Sequence, residues 1–225
     1  MTTIPETNHT EPRWGSSALL TIDVQNDFAL PGGVAEVQGT ADILPALARL
    51  LEGFRTGGLP ILHVVRLYRA DGSNVDLCRR ALVQGGRRIV VPGSHGSQLA
   101  ESVRPGGCPP LDADLLFNGG VQALGEKEWA MYKPRWGAFY GTALEQFLRD
   151  RGIDTLVFGG CNFPNCPRTS LYEASERDFR LVLASDAMSR VYERGLEELE
   201  AIGVSVASSA EILARLEPKK GEESK

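Results

Sequence analysis

Two unbroken apolar runs, ALLTIDV at 18–24 and DTLVFGG at 154–160, constrain this chain more than any other feature. Neither alternates apolar with polar residues, so each needs apolar cover on both faces, the condition of an inner strand in a parallel sheet. PILHVVR (60–66) and FRLVLASD (179–186) repeat the pattern, while EWAMYK (128–133) and residues 204–207 read as shorter strands. Helical periodicity fills the gaps. It is clearest at 43–54, where Leu44, Leu47, Leu50 and Leu51 share one side and Gly57-Gly58 supplies a stop. Further helices are expected near 75–83, 141–152, 166–177, 192–202 and 210–216. Strands alternating with such helices build βαβ units. The fold class is therefore α/β, a three-layer α/β/α sandwich around a mostly parallel, Rossmann-like sheet of about six strands. Residues 85–120, rich in Gly and Pro, read as a long excursion with at most a short helix near 97–103.

A chain of 225 residues with this balance suits one sizeable domain, placed at 17–216 between a flexible N-terminal segment (1–16) and a flexible tail (217–225). The apolar runs are far shorter than the roughly 20 residues needed to cross a bilayer. The first 16 residues lack the basic start and apolar core of a secretory leader, so a cytoplasmic location is expected. Net charge is −5 and the arginines are scattered, which argues against nucleic-acid binding. Four cysteines, Cys78, Cys108, Cys161 and Cys166, are too few for a disulfide scaffold and are expected to be free thiols. No GxxxxGK or GxGxxG sequence accompanies Gly32-Gly33 or Gly159-Gly160, so no nucleotide cofactor is implied.

In parallel sheets of this kind ligands bind beyond the carboxyl ends of the strands. Three reactive side chains fall there: Asp23 in TIDVQNDF, Lys133 at the end of EWAMYK, and Cys166 in the turn GGCNFPNCPRTS. Each alone has an ordinary explanation, as a turn residue, a surface lysine or a small buried hydrophobe. Together they make a chemical set. A thiolate is favoured at a helix start and beside a cation, and Cys166 has both on offer. Asp23 can take the thiol proton and later give it to a leaving nitrogen. Backbone N–H groups in the 161–166 turn can serve a developing oxyanion.

The blocks TIDVQNDF (21–28), KPRWGAFYGT (133–142) and GGCNFPNCPRTSLYEASERDFRLVLASDA (159–187) resemble, in order and spacing, the isochorismatase-like cysteine hydrolases, which include nicotinamidases and N-carbamoylsarcosine amidohydrolases. The resemblance implies a Cys166 nucleophile, an Asp23 proton carrier and a charge-stabilising Lys133. It also implies a cis peptide between Cys161 and Asn162, and oxyanion donors at the N–H groups of Asn162 and Cys166. Nicotinamidases carry a metal-binding Asp-x-His stretch after their second strand; here residues 66–74 read RLYRADGSN, without histidine, so no metal or other cofactor is expected. Where the family turn usually carries Thr, this chain has Phe163, followed by Pro164.

Gln25, Phe28, Arg66, Tyr68, Trp136, Phe139 and Phe163 adjoin the reactive positions and are candidates for lining a substrate pocket, with core packing the competing reading for Phe28 and Phe139. Arg66 and Arg135 could hold a substrate carboxylate; salt bridges to nearby acids are the favoured expectation. His63 reads as a satisfied core histidine. The expected activity is metal-independent hydrolysis of a C–N bond in a small amide, carbamoyl or lactam compound. Vinyl-ether hydrolysis and a non-catalytic binding role are the alternatives. The partners are that substrate, water and further copies of the chain, since the resemblance implies a homo-oligomer.

Overall fold

The computed structural model describes residues 8–216. Its strands are β1 (Ser17–Ile22), β2 (Ile61–Val65), β3 (Val121–Gly125), β4 (Glu128–Tyr132), β5 (Thr155–Gly160), β6 (Arg180–Met188) and β7 (Ser205–Ala207). The helices are α1 (Asn26–Ala29), α2 (Thr40–Thr56), α3 (Leu77–Gln84), α4 (Ala113–Phe117), α5 (Leu144–Arg149), α6 (Cys166–Ser175), α7 (Glu193–Glu200) and α8 (Ser209–Leu216). One sheet runs β3-β4-β2-β1-β5-β6-β7, parallel except for the β3–β4 hairpin.

The unbroken apolar strands are explained by where alternate side chains go. Leu20 and Ile22 of β1, Leu62 and Val64 of β2, Leu156 and Phe158 of β5, and Leu181 and Leu183 of β6 enter one core with Leu148 of α5, Leu171 of α6 and Leu199 of α7. Their neighbours Leu19, Ile61, Val65, Val157 and Val182 enter a second core with Leu47, Leu50, Leu51 and Phe54 of α2 and Ile212 of α8. Both faces are thus covered, as strands without polar alternation require. Each fully buried Leu or Phe stabilises the layers by about 1.5–3 kcal/mol.

The sheet has seven strands, one more than the expected six. The added strand, β3, lies at an edge, where the burial of its residues alternates and its composition includes Ala and Gly. Such a strand gives little apolar signal, and it begins directly after the 85–120 region read as an excursion. That excursion also holds α4, capped by Asp112 accepting from the Leu115 N–H, while the helix expected at 97–103 is a single 3-10 turn at His95–Ser97. The expected flexible lead is shortened: Arg13 N–H donates to Thr155 Oγ1, and Asp154 binds Ser16 and the Arg13 guanidinium. Residues 1–7 and the expected tail at 217–225 lie outside the described residues. Among the described residues no helix is long and apolar enough to cross a membrane.

A buried polar line crosses the α2 face of the sheet. Thr21 Oγ1 lies 2.7 Å from His63 Nδ1, His63 Nε2 lies 2.7 Å from Glu128 Oε1, and Arg55 of α2 grips both Glu128 oxygens at 2.8 Å. His63 is the satisfied core histidine expected from its strand. Burial alone would raise the Glu128 carboxyl above its ordinary 4.5, but the hydrogen bonds from Arg55 and His63 outweigh it and hold the group at about 2. The unfolded chain therefore binds this proton first: the stabilisation is complete above pH 4.5 and is lost as pH falls toward 2. Glu128→Gln is expected to cost about 3–5 kcal/mol at pH 6, because it leaves Arg55 without its buried partner. Urea unfolding at pH 6 and pH 3 checks this, since the gap between wild type and variant must narrow in acid; an equal gap contradicts the assignment.

Candidate active site

The reactive residues lie at the carboxyl ends of the adjacent strands β4, β2, β1 and β5. The chain runs outward from β1 through β2 to β4 and then returns to β5 on the other side of β1. The strand order reverses there, between Asp23 and the turn after β5, and crevices in open α/β sheets form at such reversals.

Asp23 follows β1 with a positive φ of 53°, a left-handed conformation that Asp adopts more readily than most residues. Its N–H donates to Val64 O at 2.9 Å, which fixes it against the end of β2. Lys133, directly after β4, is held through its own N–H to Val65 O at 3.0 Å. The two side chains meet: Lys133 Nζ donates to Asp23 Oδ2 at 2.8 Å, with the lysine fully buried and the aspartate nearly so. Asp23 Oδ1 is buried and takes no donor nitrogen or oxygen among the described residues.

Cys166 is the first residue of α6, and Asn165 before it offers no capping side chain. The peptide between Cys161 and Asn162 is cis, as the resemblance implied. Cys161 N–H donates to Ile22 O and Phe163 N–H to Ser189 O, clamping the turn between β1 and the end of β6. Gly160 lets the turn come this close: its φ is +117°, and a Cβ there would lie 2.5 Å from Ile22 O. Among the described residues nothing accepts the N–H of Asn162 or of Cys166. Both remain available to an oxyanion, as free donors at a helix start commonly are. Ser170 of α6 ties the turn to the segment after Lys133, donating to Cys166 O and accepting from Ala138 N–H.

Burial pushes the Cys166 thiol up, and the Asp23 charge and hydrogen bond push the same way, while Lys133 and Arg66 pull it down. The net direction is upward. Depth and the Asp23 charge thus work against the bias toward thiolate that a helix start and a neighbouring cation give. Cys161 has no such cations beside it, and burial pushes its thiol up to about 12. Cys78, Cys108, Cys161 and Cys166 are all free.

Of the candidate lining residues, Arg66 brings a polar group to the nucleophile, its Nη2 3.9 Å from Cys166 Sγ. It also forms the expected salt bridge, to Asp76 at 3.3 Å. Tyr68 is fully buried beside it and donates to Asp76 Oδ2 at 2.7 Å. Gln25 instead acts as a backbone clamp, donating to Arg66 O and Ser97 O and accepting from Arg66 N–H, so no atom of its amide is spare. Phe28 packs with Tyr68, Val75 and Cys161 beneath the Arg79 guanidinium. Phe139 packs on Phe179, and Phe163 packs edge-on against Tyr192. Trp136 is half-buried against the same core. Arg135, expected to pair with an acid, is exposed and donates to the carbonyls of Asn74 and Pro134.

Asp76 was missed by sequence reasoning. An Asp before a helix reads as a cap, yet its side chain caps nothing and turns inward to Arg66 and Tyr68. Among the described residues no group of three or more His, Cys, Asp or Glu is arranged to hold a metal. A cavity of about 250 Å³ lined by Arg55, Leu59, Lys127 and Glu128 lies at the opposite end of the strands, away from this chemistry.

The isochorismatase domain profile matches residues 17–211. A protein of Arabidopsis thaliana described as a probable inactive nicotinamidase is 30% identical over 198 residues, covering 85% of this chain and 92% of its own. The ureidoacrylate amidohydrolase RutB of Methylobacterium radiotolerans is 31% identical over 184 residues, covering 75% of this chain and 65% of its own. Among solved structures, an isochorismatase family protein from Desulfovibrio vulgaris superposes with a TM-score of 0.76 at 33% identity, over 89% of this chain and 98% of its own.

Proposed function

Since the chain belongs to the isochorismatase domain family, we propose that it is a hydrolase that cleaves a C–N bond of a small amide, carbamoyl or lactam compound through a thioester on Cys166. The observation that carries this reading is the buried Lys133–Asp23 pair at 2.8 Å, with the second aspartate oxygen open and the Cys166 thiol as its acid neighbour.

In this reading Asp23 Oδ1 takes the thiol proton as sulfur attacks the carbonyl carbon. The N–H groups of Asn162 and Cys166 receive the negative oxygen, a kind of stabilisation worth about 3–4 kcal/mol for one well-placed donor. Asp23 then passes its proton to the nitrogen, which leaves as an amine or ammonia, and a thioester remains. Water attacks the thioester, Asp23 takes its proton, and collapse of the second tetrahedral species returns the thiol and releases an acid. Lys133 orients Asp23 and keeps positive charge beside the sulfur throughout.

Intact-mass spectrometry during turnover of a panel of amides and ureido compounds tests the proposal. The expected result is an acyl adduct on wild type that is absent from Cys166→Ala, with turnover unaffected by chelators. A second reading, a binding protein on the same scaffold, draws support from the 30% identity to a protein described as probably inactive. Ligand-induced melting shifts without adduct or product favour that reading.

A further inference from the structure

Arg66 is a large charged side chain with only 2% of its surface exposed, held where β2 ends. Its guanidinium is incompletely used. Nη1 reaches Asp76, Nη2 approaches the weak acceptor Cys166 Sγ at 3.9 Å, and Nε is buried with no partner among the described residues. A buried donor left unmet costs about 1–3 kcal/mol, more for a charged group. Asp76 cannot supply the deficit, since it also serves Tyr68, whose hydroxyl in turn accepts from Arg79 at 3.2 Å.

The charges point the same way. Beside the sulfur stand two cations, Lys133 and Arg66, and one carboxylate, Asp23, with Asp76 and Arg79 one contact further out, on Arg66 and Tyr68. While the thiol keeps its proton, one positive charge is left over in a secluded site, an arrangement that favours an anion beside the guanidinium.

We propose that Arg66 receives a carboxylate of the substrate, and that the substrate class is small amido or ureido acids whose carboxylate lies a few bonds from the scissile carbonyl. The reach follows from the geometry. A carboxylate oxygen sits about 2.8 Å from a guanidinium nitrogen, and a carbonyl carbon about 3–3.5 Å from its nucleophile before attack. With Nη2 and Sγ only 3.9 Å apart, the two ligand groups are close neighbours. A bulky lactam with a remote charge fits this poorly. The scissile bond rests on the proposed hydrolase reading; the anion site does not.

Two probes differing only in charge test the assignment: N-carbamoylglycine and its neutral amide. Calorimetry on Cys166→Ala should show the acid binding at least about tenfold tighter, the scale of one charge-assisted contact. Arg66→Met in the same background should erase that preference, and Arg66→Lys, which keeps the charge without the planar fork, should retain part of it. In the otherwise native enzyme, Arg66→Met should lower kcat/KM for both probes, because it also removes a cation from beside the sulfur, but by about 30- to 100-fold more for the acid than for the amide. Equal losses for both probes, an acid preference that survives Arg66→Met, or binding of neither probe overturns the proposal. Circular dichroism reports folding; should Arg66→Met fail to fold, Arg66→Lys decides, and an undiminished preference there counts against the bidentate role. Acid-selective binding without adduct or product keeps the anion site and removes the hydrolase.

Discussion

Cys166→Ala is expected to lower turnover of any accepted amide by at least about 10⁴-fold while leaving the fold intact. Losing the nucleophile of a covalent hydrolase costs about 10⁶ in a well-studied case, and the remaining oxyanion donors and binding contacts preserve only residual catalysis. The control lies five positions earlier. Cys161 is equally buried, but burial pushes its thiol up to about 12, and its neighbours are the hydroxyls of Thr40 and Ser189 and the apolar cluster of Phe28, Tyr68 and Val90. Cys161→Ala should cost some stability and change turnover only a few-fold. Initial rates of ammonia release from the two variants, beside their melting curves, make the comparison. Turnover by Cys166→Ala within tenfold of wild type would remove the thioester mechanism.

Lys133→Met should act on both stability and chemistry. The substitution takes the nitrogen donor from Asp23 Oδ2, and Oδ1 has no nitrogen or oxygen donor among the described residues, so a buried carboxylate loses its cation. Breaking a buried pair from one side costs about 3–5 kcal/mol, readable as a lower urea midpoint. The chemical effect has a definite sign. Lys133 pulls the Cys166 thiol down against burial and Asp23, so its removal moves the thiol further up. Labelling by iodoacetamide against pH must therefore shift to higher pH, and kcat/KM should fall about 10³-fold, the range of a general-base contribution. Adding Asp23→Asn to Lys133→Met should recover part of the stability and none of the activity, because the two residues act as one unit. An unshifted labelling curve would leave Lys133 with a structural part only.

The fold was legible where apolar pattern and burial coincide. Strands β1, β2, β5 and β6 send apolar residues to both cores because both faces of the sheet are covered, and their sequences therefore lack a regular polar alternation. Strand β3 is not, because an edge strand with one face open needs little apolar content and its pairing partner lies across a short turn. Asp23, Lys133 and Cys166 could be picked out because the rule for strand ends depends only on where strands stop. The lining residues could not be sorted in that way. Gln25 and Arg66 stand at comparable strand ends, yet one spends its amide on backbone and the other keeps a donor unmet. That difference depends on Ser97 and Asp76, which reach the site from an irregular stretch and a helix start where periodicity carries no information. The direction in which the thiol is pushed was likewise hidden, since it is a balance of depth and one carboxylate against two cations that only the assembled site contains.

Asp23, Arg66, Lys133 and Cys166 each come from the tip of a different strand or the turn beyond it. A ribosome-bound chain that has emerged only as far as Lys133 therefore holds Asp23 and its ammonium partner but not Cys166, the sulfur proposed to react beside them. Once the last of the four is made, its thiol begins life in open water at ordinary acidity and is more easily alkylated or oxidised than it will be after seclusion. Completion of the sheet thus does two things in one event: it assembles the groups of the proposed catalyst and it secludes the Cys166 sulfur, while Cys78 stays exposed.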